Sequence, residues 1–192
     1  MNIVVKSTVA VAIGILLGLG LTWLAVVKGA MPGGVQDGPW RSSLAIGSAN
    51  GNALTRARVA LHGLLALNRT ETLYYTASED SAGAPLDGAC AYALGGRDPD
   101  ARWWSITAYG PDDYLIPNVA HAYSVSRNSI QRAADGSFRA TVSMRPPERG
   151  NERNWIALAP GRFTLTLRLY NPGAKIDPVH TPLPSIAKES CS

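Results

Sequence analysis

The hydrophobic pattern divides the chain into one continuous apolar block, one stretch of helical period and a long tract of strand period. Ser7 to Val27 is 21 residues without a charge, bounded by Lys6 and Lys28. A helix of that length spans roughly 30 Å, the thickness of a bilayer's hydrocarbon core. In lipid only bonds within the segment can satisfy its backbone, so one transmembrane helix is expected. Trp23 lies near its end, where indoles favour the interface. The apolar region exceeds the roughly 7–15 residues of a secretory signal peptide. Neither Ala25-Val26-Val27 nor Lys28-Gly29-Ala30 offers a small-x-small cleavage site. Residues 1–28 are therefore expected to be an uncleaved signal anchor.

Gly29 to Ser48 is rich in Gly, Pro and Ser, and residues 29–48 are expected to form a tether to the folded body. Helical period returns once, from Asn52 to Leu67. There Leu54, Ala57, Leu61, Leu64 and Leu65 form one stripe, and Thr55, Arg58 and His62 another. Asn50 or Asn52 is placed to cap this helix, and His62 belongs to its solvated polar face. Beyond it the period falls to two. Phe163, Leu165, Leu167 and Leu169 alternate with Thr164, Thr166, Arg168 and Tyr170. Phe138, Ala140, Val142 and Met144 alternate with Ser137, Arg139, Thr141 and Ser143, behind an Asp135-Gly136 turn signal. Trp104, Ile106 and Ala108 alternate with Trp103, Ser105, Thr107 and Tyr109. Spaced strands with one leading helix predict a mainly β fold. It is a jelly-roll-like β-sandwich with one packed helix over residues 49–192, preceded by the N-terminal transmembrane helix.

Composition narrows the function classes. With 46% apolar and 17% charged residues the chain can bury a core and is not a disordered polymer. The net charge of +4 includes the two flanking lysines, and no basic run appears, which argues against nucleic acid. Three histidines without ligand spacing and two cysteines imply no metal site, and phosphate-loop and dinucleotide fingerprints are missing, so no cofactor is implied. Cys90, in an alternating stretch, and the penultimate Cys191 are candidates for a disulfide that staples the tail to the body. Closing such a loop is worth about 4–5 kcal/mol in the chain-entropy model, and the bond lasts in an oxidising compartment. Two separate buried thiols are the alternative. Basic residues nearly tie on orientation, and the cysteines tip it toward an outward-facing body.

Three segments carry a family resemblance. Arg102-Trp103-Trp104-Ser105-Ile106-Thr107-Ala108-Tyr109-Gly110 runs into Asp112-Asp113-Tyr114-Leu115-Ile116-Pro117-Asn118. Tyr123-Ser124-Val125-Ser126 follows, and Asn154-Trp155 precedes Phe163 to Tyr170. This ordered set resembles the bacterial domain of unknown function numbered 1214, over about residues 70–185. The chain is similar to small, singly anchored members of that family, and departs from the family pattern where Ile156-Ala157-Leu158 stand before Pro160. The resemblance implies a jelly-roll sandwich and brings no catalytic residue. It also implies one candidate partner, a separately encoded domain of the family numbered 1254, which larger members carry in the same chain. The expected location is the bacterial inner membrane, crossed once by residues 7–27, with the C-terminal domain in the periplasm.

Candidate chemistry gathers around the tryptophan strand. Asp112 and Asp113 are candidates for paired acid and base work, although Pro111-Asp112-Asp113 reads first as turn chemistry. His121 is the remaining candidate for a base. Arg102, Trp103, Trp104, Tyr114, Tyr123, Arg168 and Tyr170 are candidates for a ligand surface, with aromatic rings to stack on a sugar or another ring. Alternation sends Trp103 and Trp104 to opposite sides, so one of them belongs to the core. Gly47-Ser48-Ala49-Asn50-Gly51 does not fit a nucleophile elbow. With no coherent catalytic set, the expected function is a membrane-tethered extracytoplasmic module that binds an envelope glycan, lipid or protein. An envelope hydrolase for carbohydrate or ester bonds is the alternative.

Overall fold

The computed structural model describes residues 2–27, 34–49, 51–62, 67–174, 176–177 and 180–191. The uncharged block forms one helix, α1 (Ile3–Val27), with no buried residue. It is long and apolar enough to cross a membrane. Lys28 and the Pro32-Gly33 pair lie outside the described residues.

The rest is a sandwich of two sheets beside one short helix, α2 (Ala53–Leu61). Numbered along the chain, the strands are β1 (Gly34–Asp37), β2 (Trp40–Ser43), β3 (Thr72–Ala77), β4 (Cys90–Arg97) and β5 (Ala101–Tyr109). They continue with β6 (Ser124–Ser126), β7 (Ser137–Ser143), β8 (Trp155–Ala157), β9 (Thr164–Pro172) and β10 (Ser185–Cys191). One sheet runs β1-β2-β3-β9-β5-β6 and the other β10-β4-β7-β8. The described pairings are antiparallel except that of β7 with β8.

Period two places the core. In the six-stranded sheet Leu169 lies between Leu73 and Trp104, Leu167 between Tyr75 and Ile106, and Leu165 between Ala77 and Ala108. All nine side chains are buried. Their apolar face meets the inner face of the other sheet, where Trp104 stacks on Phe138 at 5.1 Å between ring centroids. Tyr92 meets Phe163 edge-on at 5.7 Å, and its phenol accepts a hydrogen bond from Asp87 N at 2.9 Å. Burial pushes the Tyr75 phenol up to about 12.

Part of the stretch expected as a tether is sheet. β1 and β2 form a hairpin around Gly38-Pro39, with Gly38 at φ 55°, and β2 joins β3 through Arg41 and Thr76. Trp40 anchors it, fully buried, with Nε1 donating to Pro184 O at 2.6 Å. A buried indole needs an acceptor, and the incoming tail supplies one.

The soluble helix is also shorter than its pattern and turned differently. Asn52 caps it by accepting from Thr55 N at 2.9 Å, as expected for an Asn at that position. Thr55 and Arg58 are its buried residues, whereas Ala57 and Leu61 are exposed. Arg58 turns to the end of α1 and donates from Nε to Ala25 O at 3.2 Å, while Thr55 donates from its hydroxyl to Asn52 Oδ1 at 3.0 Å, so the buried side of α2 is polar. Leu64 and Leu65 lie outside the described residues.

The tail closes the body. β10 pairs with β4, and Cys191 forms a disulfide with Cys90 directly opposite it. Asn154 fastens the other edge: its amide donates to Gln131 O and Arg139 O, both at 2.8 Å, and its carbonyl accepts from Gln131 N at 2.7 Å. Trp155 is buried and donates to Ser143 O at 3.1 Å. The Asn-Trp motif is thus a structural rivet.

Two predictions follow from the tail. A Cys90→Ser, Cys191→Ser double variant releases a link across 101 residues and should lose about 4–5 kcal/mol on the chain-entropy scale. Urea unfolding should show a lower midpoint than the oxidised parent, and an unchanged midpoint would show that the link constrains nothing. In the approach to β10, Asp177 accepts a hydrogen bond from His180 Nδ1 at 2.7 Å. That bond, then the carboxylate's charge, raises the imidazole pKa above the ordinary 6.5. Because the folded value is the higher one, the pair supports the fold fully below about pH 6.5 and stops doing so as pH rises through the folded value. An NMR titration should place His180 above a free imidazole, and Asp177→Asn should remove most of the difference.

Candidate functional site

The outer face of the six-stranded sheet is built from the polar half of the same alternation. Arg168 on β9 lies between Tyr74 on β3 and Ser105 on β5. The next row is Thr76, Thr166 and Thr107, and the last pairs Thr164 with Tyr109. Thr166, Ser105, Thr107 and Tyr74 are buried, whereas Thr76, Tyr109, Thr164 and Arg168 are half-buried, so this face is partly covered. Burial raises the Tyr74 phenol above its ordinary value of 10.0, keeping it protonated.

What covers the face leaves a cleft of about 920 Å³. Its floor includes Tyr74, Thr76, Thr164, Thr166 and Arg168, and its walls come from the β1–β2 hairpin and the end of α2. The loop after β5 closes the remaining side. Arg168 donates from Nη2 to the Tyr109 hydroxyl at 2.9 Å, with its guanidinium carbon 5.4 Å from that ring's centre. Among the described residues this guanidinium makes one hydrogen bond and one ring contact, and a guanidinium has five N–H donors with which to meet a carboxylate, phosphate or sugar hydroxyl.

The adjacent aspartates of the loop diverge. Asp112 turns back and accepts from Tyr114 N at 3.2 Å, an Asx turn that Gly110 permits. A Cβ on Gly110 would stand 2.8 Å from Asp112 Oδ1. Asp113 takes a left-handed conformation at φ 63° and meets His62 Nδ1 at 2.8 Å. That contact joins the loop to the end of α2 across the cleft. His62 is exposed, as expected of a solvated residue, and also lines the cleft, a place the sequence pattern did not reveal. Its neighbour in space is 51 positions away.

The candidate site residues separate into five groups. Asp112, Asp113, Tyr114 and Arg168 line the one cleft. Trp103 and Tyr170 stand beyond it on the same sheet face, paired with each other at 5.2 Å between ring centres. Trp104 is no ligand residue: it is fully buried, stacked on Phe138, and donates from Nε1 to Asp98 at 3.2 Å. Arg102 is exposed at the opposite end of β5 from Tyr109. His121 and Tyr123 keep each other's company, with the phenol 3.4 Å from His121 Nδ1, and neither lines the cleft. Asp112, Asp113 and His121 thus do not form one acid–base set.

A second depression, of about 750 Å³, includes Asp98, Asp100, Asp135 and His180. Two of its carboxylates are engaged within the fold: Arg132 holds Asp98 at 2.8 Å and Arg97 holds Asp135 at 3.2 Å. Hydrogen bonds from Ser137 hold the Asp135 carboxyl below the usual carboxylate value. Among the described residues no group of three or more His, Cys, Asp or Glu side chains is arranged to hold a metal ion.

A similar fold is found in a solved structure. The crystallised VPA0106 protein from Vibrio parahaemolyticus superposes with a TM-score of 0.62 over 73% of this chain, at 22% identity, and this chain spans 36% of its length. An uncharacterised protein from Burkholderia cenocepacia matches 64% of this chain and 30% of its own, at 20% identity and a TM-score of 0.44. No curated protein matches the sequence. A family described as "Protein of unknown function (DUF1214)" matches residues 71–174, more than half of the 192 residues and including both central strands beneath the cleft, and the chain belongs to that family.

Proposed function

We propose that this chain is a membrane-tethered binding module of the bacterial envelope, whose cleft takes a polar ligand carrying anionic or hydroxyl groups. Arg168 among the hydroxyls of Thr76, Thr164 and Thr166 on one concave surface carries this reading, with Asp112 engaged in its own turn and Asp113 paired with His62. The floor supplies hydroxyl donors and acceptors and a guanidinium, which suit a sugar or a phosphorylated headgroup. The tethering half is supported by α1, 25 residues long with no residue buried against the body. Placement of the body outside the cytoplasm is supported by the Cys90–Cys191 disulfide, since such bonds persist in oxidising compartments.

One observation favours hydrolysis as a second reading. A carboxylate bound to a histidine's Nδ1 orients the imidazole so that Nε2 can act as a base. His62 and Asp113 have that relation at the cleft. The acid–base residue of a hydrolase here would be His62, a residue absent from the sequence-derived set.

The test uses the full-length oxidised chain in lipid nanodiscs, titrated with soluble peptidoglycan fragments and with glycerophosphate headgroups. One of the two classes should bind saturably. Arg168→Met should weaken that binding about 10–100-fold, the worth of one hydrogen bond to a charged group, while the urea midpoint stays near the parent's. Absence of saturable binding by both classes would refute the proposal. Turnover of nitrophenyl ester or glycoside probes, lost in His62→Ala, would establish the second reading instead.

A further inference from the structure

The chain leaving α1 has little length with which to carry the body away. Residues 28–33 separate Val27 from Gly34, and Gly34 already lines the cleft. Seven Cα steps reach about 25 Å at full extension. A second link is shorter. Arg58, buried on α2, donates from Nε to Ala25 O at 3.2 Å. Carbonyls in the last turn of a helix lack intrahelical partners, and a cation there also complements the helix dipole. Leu61 follows Arg58 by three residues, about 5 Å along the helix, and lines the cleft. The end of the apolar helix and the mouth of the cleft are therefore neighbours.

That mouth carries apolar groups without a cover. Leu61 is 54% exposed, Tyr114 75% and Leu115 44%. On α2, Leu54, Ala57 and Leu61 fall on the shoulder roughly 40–100° around from Arg58, beside the contact with α1 rather than opposite it. The Asp113–His62 contact holds Tyr114 and Leu115 to the same end of α2. Nearby, Trp23 and Leu24 near the end of α1 are themselves 60% and 50% exposed. Tyrosine and tryptophan rings beside exposed leucines match the composition that settles at a bilayer surface.

We propose that the rim formed by Leu61, Tyr114 and Leu115 rests in the interfacial layer of the bilayer that α1 crosses, so that the cleft opens onto lipid headgroups. The occupant of this apolar patch is phospholipid, because the patch continues the lipid-demanding surface of α1. This inference rests on α1 remaining attached as an anchor.

The experiment uses the full oxidised chain in nanodiscs of phosphatidylethanolamine and phosphatidylglycerol. An environment-sensitive fluorophore is attached at Leu115→Cys, and for comparison at Arg149→Cys, an exposed position in the loop between β7 and β8. Doxyl-labelled phospholipid should quench the probe at 115 several-fold more than the probe at 149, and iodide should quench it less. In the unlabelled chain the same lipid should broaden the NMR amide signals of Tyr114 and Leu115, which guards against a variant that misfolds. Equal, weak lipid quenching at both positions, with iodide reaching both, overturns the proposal. So does shielding from iodide without lipid quenching, which would assign the patch to a second copy or another protein. The intact mass of the membrane-bound chain separates the two levels. Loss of α1 from the mature protein overturns the anchor and this proposal together, whereas a full-length anchored chain with residue 115 in water overturns this proposal alone.

Discussion

The antiparallel register of β5 against β9 is the constraint on which core and cleft both depend. Pairing Trp104 with Leu169, Ile106 with Leu167 and Ala108 with Leu165 directs three apolar rows into the sandwich. The intervening pairs, Ser105 with Arg168, Thr107 with Thr166 and Tyr109 with Thr164, are sent to the other side and floor the cleft. A slip of one residue would exchange the two faces, exposing leucines and burying a guanidinium. Core burial thus holds Arg168 in position without any contribution from a ligand.

Around that pair the polar groups determine how peripheral elements attach. The short helix brings Thr55 and Arg58 inward because their partners, the Asn52 cap and the carbonyl of Ala25, lie there. A buried guanidinium without acceptors would be costly, so its hydrogen bond to the end of the apolar helix is a condition of its burial. The hairpin before it is held by the indole of Trp40 on Pro184, and the tail that carries Pro184 is held in turn by the disulfide. First and last parts of the body are therefore mutually dependent. The cleft walls, made by the hairpin and the end of α2, inherit that dependence.

Legibility from the sequence followed the range of the interactions involved. The apolar block, the alternating strands around Trp104, Phe138 and Leu167, and the opposite orientation of Trp103 and Trp104 all depend on neighbours a few positions apart. The hairpin at Gly38-Pro39 was hidden because Gly and Pro suit a flexible linker and a tight turn alike; burial of Trp40 by a residue 144 positions away distinguishes them. The buried side of α2 was hidden because Arg58 finds its acceptor on Ala25, 33 positions away, a contact that a helical stripe does not encode.

From its residues alone this chain was bound to have an apolar helix, a strand-rich body with a known family's motifs, and an outward-facing row of Thr, Arg and Tyr on β9. These are local consequences of hydrophobic period and side-chain alternation. Which groups share a cleft was another matter. Asp113 is joined to His62, Asp112 is spent on its own turn, and His121 is left with Tyr123. Such outcomes rest on contacts between segments far apart in the chain and on single backbone angles such as φ 63° at Asp113, which no pattern of residue types encodes locally.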